Sequence, residues 1–186
     1  MFLFEIAILL IVFMLQLSGI YYDRKILSLR TGGPVGHALN PVLNPNNLKI
    51  EGWYATAVHE RESYILPVGE VRDIIAKGIV VDDHTSLTLV EDMIRLKNVI
   101  QLGFEIIGKT VKYENKRTIG KVDDYAVDDQ SLYIQKLYVN QSLLRNFSSQ
   151  QLVIDRSQII EINDRTVIVH DTRSRVSSGS RAQQPA

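Results

Sequence analysis

The residue types that could do chemistry are few in this chain, and their spacing rarely suits it. Three acidic pairs stand out: Asp82-Asp83, Asp123-Asp124 and Asp128-Asp129. A calcium loop needs several converging oxygens and a glycine for its sharp turn, and the run 123–129 has no glycine. These pairs therefore read as turns and strand ends. The four histidines, His37, His59, His84 and His170, make no pair at the three- or four-residue spacing that puts two ligands on one metal. Asp82-Asp83-His84 comes nearest to a site. Gly32-Gly33-Pro34-Val35-Gly36 is glycine-rich but lacks the Lys-Ser/Thr ending and the following helix that would cradle a phosphate. It reads as a tight turn. No Gly-x-Ser-x-Gly elbow presents a serine nucleophile. The sequence thus nominates no catalytic residue, no metal ligand and no cofactor, and an enzyme is not expected.

The totals narrow the classes further. With 186 residues the chain suits one ordinary domain or two small ones. Its formal net charge is zero, which argues against nucleic-acid binding through bulk charge. It holds no cysteine, so disulfide frameworks, thiolate metal sites and thiol nucleophiles are excluded.

The elements that would position any site are read mostly from an internal repetition. Gly36, Leu48, Ile50 and Tyr54 meet Gly120, Leu132, Ile134 and Tyr138 at a constant separation of 84 positions. The segments 66–71 and 79–83 meet 154–159 and 167–171 at a separation of 88. Short apolar runs broken by Asn, Asp and Gly predict strands in both copies. Gly36 and Gly120 are expected in structural turns, and Pro41 and Pro45 argue against an unbroken central strand in the first copy. Between the copies lies a helix signal. Thr88 and Glu91 form a capping box, Leu89, Met93, Leu96 and Ile100 share a face, and Gly103 suits the left-handed position after the last turn. From Thr172 onward the apolar pattern stops, and residues 172–186 are expected to be disordered.

Residues 1–20 are mostly apolar, near the roughly 20 residues a bilayer span requires. Tyr21 and Tyr22 then stand where an interfacial aromatic belt would lie, and Arg24 and Lys25 would keep the remainder on the cytoplasmic side. The same run would also serve as a buried helix, or as an early start ahead of Met14. The expected location is the cytoplasm, either free or anchored to a membrane with the barrels facing it.

The second copy carries Gly120-Lys121-Val122-Asp123-Asp124, a strand from Leu132 to Val139, an Ile154-to-Ile159 segment and the ending Val167-Ile168-Val169. This succession resembles the PRC-barrel family. The first copy resembles it through Gly36 and the residues 48–55, 66–71 and 79–83. The resemblance implies a mainly β chain: two tandem small PRC-type β-barrels joined by a helix, preceded by an N-terminal apolar helix. The expected boundaries are 1–20 for the apolar segment, 21–84 and 104–171 for the barrels, 85–103 for the linker helix and 172–186 for the tail. Within the family, one branch is the cytoplasmic part of the photosynthetic reaction-centre H subunit, and another is the C-terminal domain of ribosome-maturation factors of the RimM type. The implied role is a non-catalytic scaffold or adaptor for a protein partner whose identity is not specified, with membrane contact through residues 1–20. The alternatives are a ribosome- or RNA-associated maturation factor, touching nucleic acid only through the ribosome, and an enzyme with an unrecognised site. The candidate partner-binding residues are Leu143, Leu144 and Phe147, large apolar groups in a predicted loop, together with Trp53 and Tyr54. Strand alternation puts these last two on opposite faces.

Overall fold

Strand-forming residues alternate with turn residues along most of the chain, and the computed structural model describes residues 15–60, 62–141 and 150–171. The first group of strands is β1 (Leu15–Leu17), β2 (Arg24–Ser28), β3 (Pro34–Asn44), β4 (Lys49–Ala57), β5 (Tyr64–Pro67), β6 (Val71–Ile75), β7 (Gly78–Val81) and β8 (Thr88–Leu89). A short helix, α1 (Lys97–Leu102), leads to β9 (Thr110–Tyr113), β10 (Thr118–Asp128), β11 (Ile134–Gln141), β12 (Gln150–Asp155), β13 (Ile159–Ile162) and β14 (Thr166–Val169). They form two curled sheets. One has the order β6-β7-β2-β3-β4-β5-β8 and the other β12-β11-β10-β9-β14-β13, with β1 joined to β10.

The two sheets use matching parts. Each has a central eleven-residue strand, β3 or β10, starting 84 positions apart. Each long strand carries bulges, with register shifts at Ala38/Pro41 and at Val122/Asp124. A bulge bends its strand and raises the local twist, which lets one strand serve both sides of a curled sheet. Each sheet holds one parallel pair among otherwise antiparallel strands, β2 with β7 and β9 with β14. A 3-10 turn, Val68–Glu70 in one and Arg156–Gln158 in the other, makes the corner. Pro41 lies inside β3 and does not end it. It sits at the bulge, where strands tolerate proline.

The halves share one continuous hydrophobic cluster, running from Tyr21, Ile26, Ile50 and Trp53 to Tyr125, Ile134, Leu137 and Val167. Their backbones also join directly. Leu48 and Leu132 both adopt left-handed φ, at 56° and 59°. Each ends the loop between its two longest strands, with its N–H bonded to the carbonyl of Asn44 or Asp128 at 2.8 Å. Their own carbonyls then face the opposite half. Ile134 N–H donates to Leu48 O and Ile50 N–H to Leu132 O, both at 2.9 Å, around a Lys49–Tyr133 bridge. Such reciprocity is that of a two-fold contact.

The N-terminal segment crosses between the halves. β1 pairs antiparallel with the end of β10, Leu15 opposite Asp128. Ser18 donates its hydroxyl to Asp124 at 2.5 Å, and Tyr125 and Tyr22 share a hydroxyl contact at 3.2 Å.

Several sequence expectations are corrected here. The apolar run does not continue as a helix to residue 20, because Leu15–Leu17 is a strand and Ser18–Tyr21 a 3-10 turn, both tied to the second half. Tyr21 stands in the core at 0% exposure and not at a membrane interface. Residues 1–14, on which an anchor would depend, lie outside the described residues. Among the described residues no helix is long and apolar enough to cross a membrane. The linker helix is confined to Lys97–Leu102. Its expected N-terminus is drawn out as an edge strand, Thr88 opposite Ile65 and Leu89 opposite Tyr64, so the capping box does not form. Gly103 does take the left-handed position, at φ 52°. The tail 172–186 also lies outside the described residues.

Gly36 and Gly120 are not turn residues; both lie inside the long strands. A Cβ on Gly36 would fall 2.5 Å from the Thr56 carbonyl oxygen, and one on Gly120 would fall 2.0 Å from that of Asn140. The opposing backbone leaves no room for either. Gly120→Ala and Gly36→Ala are each expected to lower unfolding stability by about 1–3 kcal/mol, the usual cost of forced overpacking. Gly69→Ala, where no atom lies within 4 Å of the added Cβ, should stay within about 0.5 kcal/mol. Denaturant midpoints of the three variants test this.

Candidate functional site

Most of the titratable groups that the sequence singled out serve the fold. Arg72 donates to Asp82 through Nε at 2.9 Å and also through Nη2, and this pairing holds the Asp82 carboxyl below the usual carboxylate range. Asp83 accepts the Thr85 hydroxyl at 2.6 Å and the Thr85 N–H at 2.8 Å, bonds that lower its carboxyl too, and it meets Arg30 at 3.1 Å. Asp128 holds Ser131 through both N–H and hydroxyl. His37 faces Asp23 at 3.4 Å, and His170 faces Glu114 at 3.0 Å. Among the described residues, no three His, Cys, Asp or Glu side chains converge on a metal position.

The candidate partner residues separate. Trp53 is fully buried, stacked on Tyr21 at 6.5 Å between ring centroids, and its indole N–H donates to the Tyr21 carbonyl at 2.9 Å. It is a core residue and cannot touch a partner. Tyr54, on the other face of β4, is half-buried and donates its hydroxyl to the Ile100 carbonyl at 3.2 Å, pinning α1. Leu143, Leu144 and Phe147 lie outside the described residues. Sequence reasoning missed the connector, which it took for a packed helix. Ile94, three residues before α1, is 84% exposed, and Leu102, the last residue of α1, is 63% exposed; both are large apolar groups turned to solvent.

A second feature lies where the halves meet. A cleft of about 630 Å³, within the range of small-molecule pockets, is bounded by the N-terminal segment, by β6 with the 3-10 turn before it, and by the β10–β11 loop. Arg24, the first residue of β2, reaches the β6–β7 turn. Its Nη2 donates to the Ile75 and Ala76 carbonyls, both at 2.7 Å, while its Nε–H is buried without a hydrogen-bond partner. The Tyr21 hydroxyl is likewise buried and unpartnered. Both residues line the cleft. Burying a polar group without a partner costs about 1–3 kcal/mol, so two in one place are conspicuous. No short-range sequence signal could have found them, because three distant segments make the cleft.

The other end of the contact is closed. Arg156 donates to the Asn47 carbonyl at 2.8 Å and lies 4.6 Å from the centroid of the Tyr133 ring, with Lys49 on that ring at 5.6 Å. Val68 occupies the corresponding place on the 3-10 turn of the first half, 88 positions earlier, and lines the open cleft.

No protein-family model matches the chain, and no curated protein matches it.

Burial raises the phenol of Tyr21, with the charges of Asp129 and Asp128 adding to it, and burial raises that of Tyr125 as well. In both, the folded value lies above the unfolded one. Their contribution to stability is therefore full below about pH 10, the ordinary tyrosine value, and is lost as pH rises toward the folded values. In an alkaline absorbance titration, these two of the eight tyrosines should ionise only together with loss of the fold. Smooth ionisation of all eight near pH 10 with the fold intact would contradict this burial.

Proposed function

We propose that the chain is a tandem duplication of a PRC-barrel-type domain acting as a non-catalytic adaptor that holds a protein partner. The duplication is supported by the matched strand orders, the paired left-handed leucines and the two glycines set against carbonyls. The observation that carries the adaptor reading is the connector between the halves. A stiff body is made by the shared core and the reciprocal hydrogen bonds, and Ile94 and Leu102 project from it. Large apolar side chains kept in water along one connector suit a contact surface better than a core. The body limits the entropy lost on binding, because little of it has to be ordered when a partner docks. Leu143, Leu144 and Phe147 form a second candidate contact.

The test is capture of the partner from the native cell by the full chain, compared with an Ile94→Ser/Leu102→Ser double variant. Both positions are exposed, so the unfolding midpoint should move by no more than about 0.5 kcal/mol per site. Partner recovery should fall at least tenfold, since losing two apolar contacts removes on the order of 1.4 kcal/mol or more of binding. Undiminished recovery by the double variant would show that the connector is not the contact. A Leu143→Ser/Phe147→Ser variant then asks the same of the second patch.

A further inference from the structure

We propose that a second cleft, beside α1, binds a quaternary ammonium group. It holds about 410 Å³ and shares no lining residue with the cleft between the halves. Three aromatic side chains border it: Tyr22 ahead of β2, Tyr54 on β4 and Phe104 just after α1. All three are half-buried, and Glu105 on the same lining is exposed, so a molecule in the cleft reaches all four. Two of the rings are held at their hydroxyl ends. Tyr54 donates to the Ile100 carbonyl at 3.2 Å, and Tyr22 accepts the Tyr125 hydroxyl at 3.2 Å. These bonds set the walls in place before a ligand arrives, which limits the entropy lost on binding.

The charges favour a cation. Burial raises the Tyr22 and Tyr54 phenols, and the Glu105 charge raises both further, so one carboxylate stands near both rings. Asp124 adds a second negative charge at Tyr22. Lys109 is the opposing charge. Its Nζ lies 4.8 Å from the centroid of the Phe104 ring and donates to the Asp164 carbonyl, and it is not part of the cleft lining. The polar groups then select the kind of cation. A primary ammonium carries three N–H donors and needs an acceptor for each. The lining side chains offer the Glu105 carboxylate and the Asn40 amide, because both phenol oxygens are already engaged. A quaternary ammonium needs no hydrogen bond. Aromatic faces and one nearby charge hold it. Buried Pro41 and Leu43 add apolar surface for its methyl groups. Ile94 and Leu102 do not line this cleft, so the adaptor reading and this one stand or fall separately.

The experiment titrates the full-length protein with choline while the ring resonances of Tyr22 and Tyr54 are followed. The controls are the uncharged carbon analogue of choline, in which a tert-butyl group replaces the trimethylammonium, and the acetyl amides of trimethyllysine and of unmodified lysine. Saturable shifts are expected with both quaternary cations, about tenfold weaker with the carbon analogue and with unmodified lysine. Tighter binding of choline would assign a free small molecule, and tighter binding of the trimethyllysine amide would assign a modified side chain. Glu105→Gln, at an exposed position, should weaken choline binding about threefold with an unchanged thermal midpoint. Phe104→Leu keeps apolar bulk and removes the ring, and should weaken it about fivefold. It is read alongside Glu105→Gln because Phe104 also packs against the core. Equal binding of choline and its carbon analogue, undiminished binding by Glu105→Gln and Phe104→Leu, or no saturable shift of either ring with a quaternary cation would each overturn the proposal.

Discussion

Two backbone hydrogen bonds decide how this molecule is put together: Ile50 N–H to Leu132 O and Ile134 N–H to Leu48 O, each 2.9 Å. They are possible only because both leucines leave the usual region of backbone space. A left-handed residue other than glycine costs about 1–2 kcal/mol. Here that cost is met twice, at φ 56° and 59°. Burial of both side chains, 4% and 6% exposed, offsets it, as does the bond each carbonyl gains. Glycine would relieve the backbone at either position and forfeit the buried side chain.

From this junction the rest follows. It places the loop of each half against the 3-10 corner of the other, so each end of the contact has a gap to fill. Arg156 fills one and covers Tyr133; Val68 leaves the other as a cleft with Arg24 and Tyr21 on its wall. The junction also brings the end of β10 within reach of β1, so the N-terminal segment is spent on the second half. The connector from β8 to β9 must then run over the outside, with Ile94 and Leu102 in water.

Part of this was readable from residue order alone. The β-rich class followed from short apolar runs between turn residues, and the sites of the tightest turns followed from Asn, Asp and Gly. The correspondence at 84 positions picked out Gly36 with Gly120 and Leu48 with Leu132, but it misjudged what they do. Glycine is required wherever a Cβ has no room, and a sequence does not distinguish a turn from the close approach of another strand. The end of the N-terminal run, from Leu15 onward, was misread for a related reason. A continuous apolar stretch looks the same whether lipid or a neighbouring sheet covers it. At Thr88 the local capping signal lost to pairing with the edge of β5, a long-range interaction that no window of neighbouring residues contains. The cleft was illegible because its two unpartnered donors acquire meaning only when segments far apart in the chain meet.

The crossing of β1 has a consequence for the order in which the protein can form. Ser18 and the Asp124 that receives its hydroxyl are 106 positions apart. During synthesis, β1, the first strand among the described residues, lacks its partner until β10 has left the ribosome. Domains made in sequence ordinarily fold in sequence, each closing on itself before the next appears. Here the first half can curl, but Leu15–Leu17 must wait for the second half before they are paired. Distant pairing of this sort slows folding and leaves apolar chain exposed in the interval. The pairing of β1 therefore comes after the second half has begun to form.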